Sequence, residues 1–142
     1  MSNRTVALLL LAAAAVVLPA LAQNPAIKKV PARYTSPASG SEMYQSYCAS
    51  CHGAKGLGDG PVAPYLKSAI PDLTTLTKQN QGTFPTLRVS QVIRGEVSVK
   101  THGVPEMAVW GPVFLSLNNS QEPVVRMRVS NLAKHIESLQ AK

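Results

Sequence analysis

The chain has 142 residues, enough for one domain, and 14 Lys and Arg against 7 Asp and Glu give it a net charge of +7. Its cations are scattered, with only Lys28 and Lys29 adjacent, which excludes the stripe or cluster that nucleic-acid binding requires. Two phenylalanines, one tryptophan and four tyrosines are few large rings for a core of this size, so a further source of buried apolar surface is expected.

Residues 1–22 have the layout of an export signal. Arg4 supplies positive charge, Val6 to Val17 is an apolar run, Pro19 breaks it, and Ala20-Leu21-Ala22 is a small-residue cleavage site. The alternative is a retained anchor, because the run from Val6 to Ala22 sits at the lower limit for a bilayer span, where about 20 residues are usual. The proline and the A-x-A ending favour cleavage, which lowers the charge to +6 by removing Arg4 and implies a periplasmic or secreted protein. No later segment is apolar enough to span, so no membrane span is expected after cleavage. Gln23 to Ser39 carries Pro25, Pro31 and Pro37 without helical or strand periodicity and reads as a flexible arm, with a docking segment as the alternative.

The folded domain is expected over residues 40–142. Ser41 to Ser50 predicts a helix, with Ser41 as N-cap and Glu42 in the first turn. Tyr44, Tyr47, Cys48 and Cys51 fall at steps of three and four and share a face. Gly53 to Pro64 is loop, rich in glycine and proline, with a short helix from Val62 or Pro64 to Ser68. Pro71 to Gly82 reads as irregular. Thr83-Phe84-Pro85 then opens a helix that runs to Arg94 and stops at Gly95, with Leu87, Val89, Val92 and Ile93 as its apolar face. Glu96 to Asn119, broken by Gly103, Pro105, Gly111 and Pro112, reads as a long loop, and a loop of that length usually has a task. Glu122 to Leu139 predicts the last helix, since Val125, Val129, Leu132, Ala133, Ile136 and Leu139 repeat at three and four. No strand is expected, and the class is all-α.

Cys48-Ala49-Ser50-Cys51-His52 carries the chemistry. C-x-x-C-H is the attachment pattern of c-type haem. On a helix the two thiols lie one turn apart on one side and can reach both vinyl groups along one porphyrin edge, while the imidazole is directed at the iron. A redox dithiol would call for a preceding strand, a structural zinc for two more ligands, and a plain disulfide, which export would favour, leaves His52 without a role. The other axial position has five candidates: Met43, Met107, Met127, His102 and His135. Met43 lies on the attachment helix, and Met127 and His135 on the last helix. Met107 and His102 both fall in the long loop, and Met107, followed by Val109-Trp110-Gly111-Pro112, is preferred. A thioether favours ferrous iron, and two filled axial positions suit electron transfer better than oxygen or peroxide chemistry.

From Gly40 to Gln140 the chain resembles bacterial class I cytochromes c. The resemblance rests on Gly40 with Tyr44 and CASCHG, GLGDGP at 56–61, PDLT at 71–74 and GTFP at 82–85, then HG at 102–103, EMAVWG at 106–111 and IESLQ at 136–140. It implies three to five helices around one covalently attached haem c per chain, with the first and last helices crossing near Gly40 and Leu132. It also implies His52 as proximal and Met107 as distal iron ligand. The Pro61 carbonyl is then the acceptor for His52 Nδ1–H, with Pro64 as runner-up, and Trp110 either adjoins a haem propionate or simply packs. The family often reads M-P-x-W-G, and Ala108 in place of that proline implies a less rigid loop. The function implied is an electron carrier with no catalytic residue, either free or as the cytochrome subunit of a larger complex. Its partners would be a donor dehydrogenase or reductase and an acceptor oxidase or reductase. The alternative is a haem enzyme or ligand sensor with a displaceable Met107.

Overall fold

The computed structural model describes residues 32–97, 107–117, 119 and 121–141, all within the unit Pro31–Lys142. The expected export signal, the first part of the expected arm, His102 and Glu106 lie outside these residues. Among the described residues there are six α-helices and no strand, so the all-α expectation holds. The helices are α1 (Gly40–Tyr47), α2 (Ala49–His52), α3 (Leu76–Gln79), α4 (Thr86–Arg94), α5 (Trp110–Leu117) and α6 (Glu122–Ser138). Two of them, α2 and α3, are single turns; the other four form the frame. None of the described helices is long and apolar enough to cross a membrane.

The first helix starts one residue earlier than its sequence suggests. Its N-cap is Ser39, not Ser41: the Ser39 side chain accepts the Glu42 N–H at 3.1 Å, and Glu42 in turn accepts the Ser36 N–H. Cys48 bends the chain between α1 and α2, yet its carbonyl still accepts the His52 N–H at 2.9 Å, so the helical spacing of the motif survives the bend.

Three further expectations change. The helix expected from Val62 or Pro64 to Ser68 is one 3-10 turn, Ala63–Tyr65. The irregular stretch 71–82 contains a 3-10 turn, Leu73–Thr75, capped by the Asp72 side chain on the Thr74 N–H at 2.8 Å, followed by α3. The long loop expected over 96–119 contains α5. Pro112, read as a breaker, occupies the first turn of α5, where a helix needs no N–H from it. Helix α4 ends as expected, with Gly95 left-handed at φ 78°, but begins at Thr86, and Leu87 of its supposed apolar face is 73% exposed.

Helix α6 is the central element; α1, α4 and α5 all pack on it. Their shared core joins Met43 and Tyr44 of α1, Ile93 of α4, Phe114 of α5, and Val125, Val129, Leu132 and Ile136 of α6. Fully burying each such side chain stabilises the fold by about 1.5–3 kcal/mol. The first and last helices cross where the resemblance puts them. A Cβ on Gly40 would collide with the Asn131 carbonyl and come within 3.0 Å of the His135 Cβ. Only glycine permits that approach.

The arm expected to be flexible is fastened over its last residues. Thr35 is buried, and Arg128 of α6 donates to its hydroxyl at 3.0 Å and to its carbonyl at 2.8 Å. Tyr47 and Thr35 share a hydroxyl–hydroxyl bond at 2.9 Å, and Asn131 donates to the Pro37 carbonyl. At the other terminus the Gln140 amide donates to the Leu73 and Ile136 carbonyls and accepts the Thr77 N–H, while the Ala141 N–H reaches the Thr74 carbonyl.

Candidate functional site

Two adjoining cavities of about 140 and 240 Å³ share Cys48, His52, Met107 and Trp110 in their walls and so form one cleft. The first is lined mainly by apolar side chains: Leu73 and Leu76 on one side, Val89, Val92 and Ile93 of α4 on another, and Ile136 of α6. The second adds Tyr47, Cys51, Leu66, Ile70 and Ala108. The motif thus opens onto an apolar cleft, and Met107, thirteen residues beyond the end of α4, is brought to the same walls as His52.

Each residue of the motif is set by local structure. Cys48 and Cys51 are half-buried, and His52 is buried at the end of α2. The following glycine loop is laid back against this turn: Gly58 N–H bonds the His52 carbonyl at 2.8 Å, Gly60 N–H the Cys51 carbonyl at 3.2 Å, and Val62 N–H the Ser50 carbonyl at 2.9 Å. Pro61 is therefore held between two bonds to the attachment turn. Pro64 lies in the next 3-10 turn and is exposed. The Tyr44 hydroxyl, fully buried, donates to the Gly53 carbonyl at 2.8 Å and secures the residue after His52.

Burial raises the pKa of two acidic groups in the cleft wall, Cys48 and Tyr44. Burial, reinforced by Cys51, pushes the Cys48 thiol up to about 12, so it remains a neutral thiol at physiological pH and a poor thiolate ligand for a metal ion. Burial, then the negative charges of Cys48 and Asp59, push the Tyr44 phenol up to about 12. Burial also lowers the pKa of His135, whose ring packs on Tyr44 at 5.0 Å.

The remaining candidates separate by position. Met43 is buried in the core between helices, whereas Met127 is 42% exposed. Trp110 lines the cleft and stacks with Tyr47 at 4.8 Å and Phe114 at 5.6 Å. Sequence reasoning missed several contributors. Leu73 and Leu76 sit in a stretch read as irregular, and the α4 face had no assigned target. Arg88, the cation in the wall of the first cavity, carries no local signal of that position.

The residues fit a porphyrin: an apolar cleft needs an apolar occupant, and thiols and imidazole converge on it from one turn. Helices wrapped around such a cleft define a haem-binding electron-transfer protein. The family model for cytochrome c matches residues 37–124, and the chain belongs to that family, whose members generally carry electrons on the iron of haem c. Neither a curated protein nor a solved structure gives a match.

Proposed function

We propose that this chain is an exported bacterial carrier with one haem c, joined by thioethers to Cys48 and Cys51 and ligated by His52 and Met107. The carrying observation is that Cys48, His52 and Met107 line the same apolar cleft. Haem, when bound there, supplies an iron centre that gains and loses one electron. The residues set how well it does so. The Met107 thioether favours the reduced state and raises the potential. With haem bound, the Pro61 carbonyl is assigned as acceptor for His52 Nδ1–H, a bond that the structure itself does not form, and that bond would fix the ring in one tautomer. The walls from Leu73, Leu76, Val89 and Val92 exclude water, which limits rearrangement on electron transfer. Trp110 is assigned to the propionate side of the cleft, braced there by Tyr47 and Phe114. Working in the periplasm, a chain with this positive charge would meet acidic faces on its donor and acceptor at an enhanced rate.

An absorption spectrum of both redox states tests this, taken on protein matured in a host able to attach haem. The expected result is low-spin ferric iron with a weak long-wavelength methionine-to-iron band. A high-spin spectrum with rapid cyanide binding would shift the reading to an enzyme or sensor with a displaceable Met107. Protein recovered without porphyrin from such a host would overturn the reading altogether.

A further inference from the structure

Met107 reaches the cleft on a short segment that is fixed twice to one spot. That spot is Arg94–Gly95, the end of α4. Gly95 is left-handed there, and the space a side chain would take is filled by Val109, two residues beyond Met107. Four residues beyond Met107, Gly111 lies so close to α4 that a Cβ would come within 2.7 Å of the Arg94 carbonyl oxygen and 3.5 Å of its carbonyl carbon. The spot is itself anchored. The Arg94 guanidinium bonds Glu96 and, at 2.8 Å, Glu122 in the first turn of α6. Val109 is 48% exposed yet covers Gly95, and Trp110, between the two contacts, stacks on Tyr47 and Phe114.

We infer that the Gly95–Val109 and Arg94–Gly111 contacts form a clamp that positions Met107 in the cleft and sets how often its sulfur leaves the iron. The inference rests on the proposed His52/Met107 ligation. An exogenous ligand binds only the fraction of molecules in which the sulfur is away, so its apparent dissociation constant is the intrinsic one divided by that fraction. Loosening the clamp enlarges the fraction and tightens apparent binding in proportion.

The test is cyanide titration of the haem-loaded ferric protein, read with the methionine-to-iron band. Val109→Ala removes the methyl groups over Gly95, and Gly111→Ala drives the start of α5 off the Arg94 carbonyl. Each should lower the apparent cyanide dissociation constant about tenfold and weaken the band, by the open-fraction relation. Leu87→Ala, on the exposed side of α4, should change neither. Val109→Ala is a simple truncation and serves if Gly111→Ala does not fold. If wild type shows the band and Val109→Ala keeps both band and cyanide affinity, the clamp is overturned while the ligation stands. If wild type lacks the band, the ligation is overturned and the clamp with it.

Discussion

Replacing Met107 by alanine removes the only thioether that lines the described cleft while leaving His52 and both thiols in place. The reduction potential should fall, and the ferric protein should bind cyanide readily; an unchanged potential in voltammetry would assign the axial position to another residue. Tyr44→Phe removes the bond to the Gly53 carbonyl and should cost about 1 kcal/mol in urea denaturation at neutral pH. The pH dependence has a definite sign. The folded phenol, pushed up to about 12, holds its proton more tightly than the usual 10. Its contribution is complete below 10 and is lost as pH climbs toward 12, so the phenylalanine variant should lose less stability than wild type between those values. At this scale the attachment residues were legible because their chemistry depends on spacing within five positions. Arg88 and Arg128 were not. A cation on a helix reads as solvated, and only packing between distant segments puts one in the cleft wall and buries the other.

Among elements, α6 and the end of α4 could be read from periodicity and from Gly95. The hidden ones, α3 and α5, are short and are punctuated or flanked by glycine and proline. Residue order alone does not say whether Pro112 breaks a helix or opens one. Asp72 did carry a cap signal for the turn that follows it. The crossing of α1 on α6 has the sharpest element-level consequence. Gly40→Ala would force the α1 backbone away from the Asn131 carbonyl, and overpacking of this kind costs about 1–3 kcal/mol. The lowered midpoint should appear in thermal or urea unfolding, whereas Gly82→Ala, where an added Cβ meets nothing within 4 Å but φ is 86°, would destabilise through backbone strain alone.

The molecule as a whole is tied together across its sequence by α6. Arg128 is wholly buried, bonded to Thr35 and stacked over Tyr34 and Phe114 at 5.2 and 5.6 Å. Arg128→Ala should cost about 3 kcal/mol, through lost packing and a Thr35 carbonyl deprived of its donor, measured by chemical denaturation. Limited proteolysis should then cut near Tyr34 before the helices are attacked. The fold class was legible at this scale, but the fastening of residues 35–39 to α6 was not, because Arg128 and Asn131 lie over ninety positions from Thr35 and Pro37.

The bonds of Gln140 carry a practical corollary. A protein ending at residue 139 would keep α6 entire yet lose the stitches that join the tail to Leu73, Thr74 and Thr77. Amide hydrogen exchange at Thr77 should quicken in such a shortened form. A purification handle fused at the C-terminal side would therefore tug on one wall of the cleft.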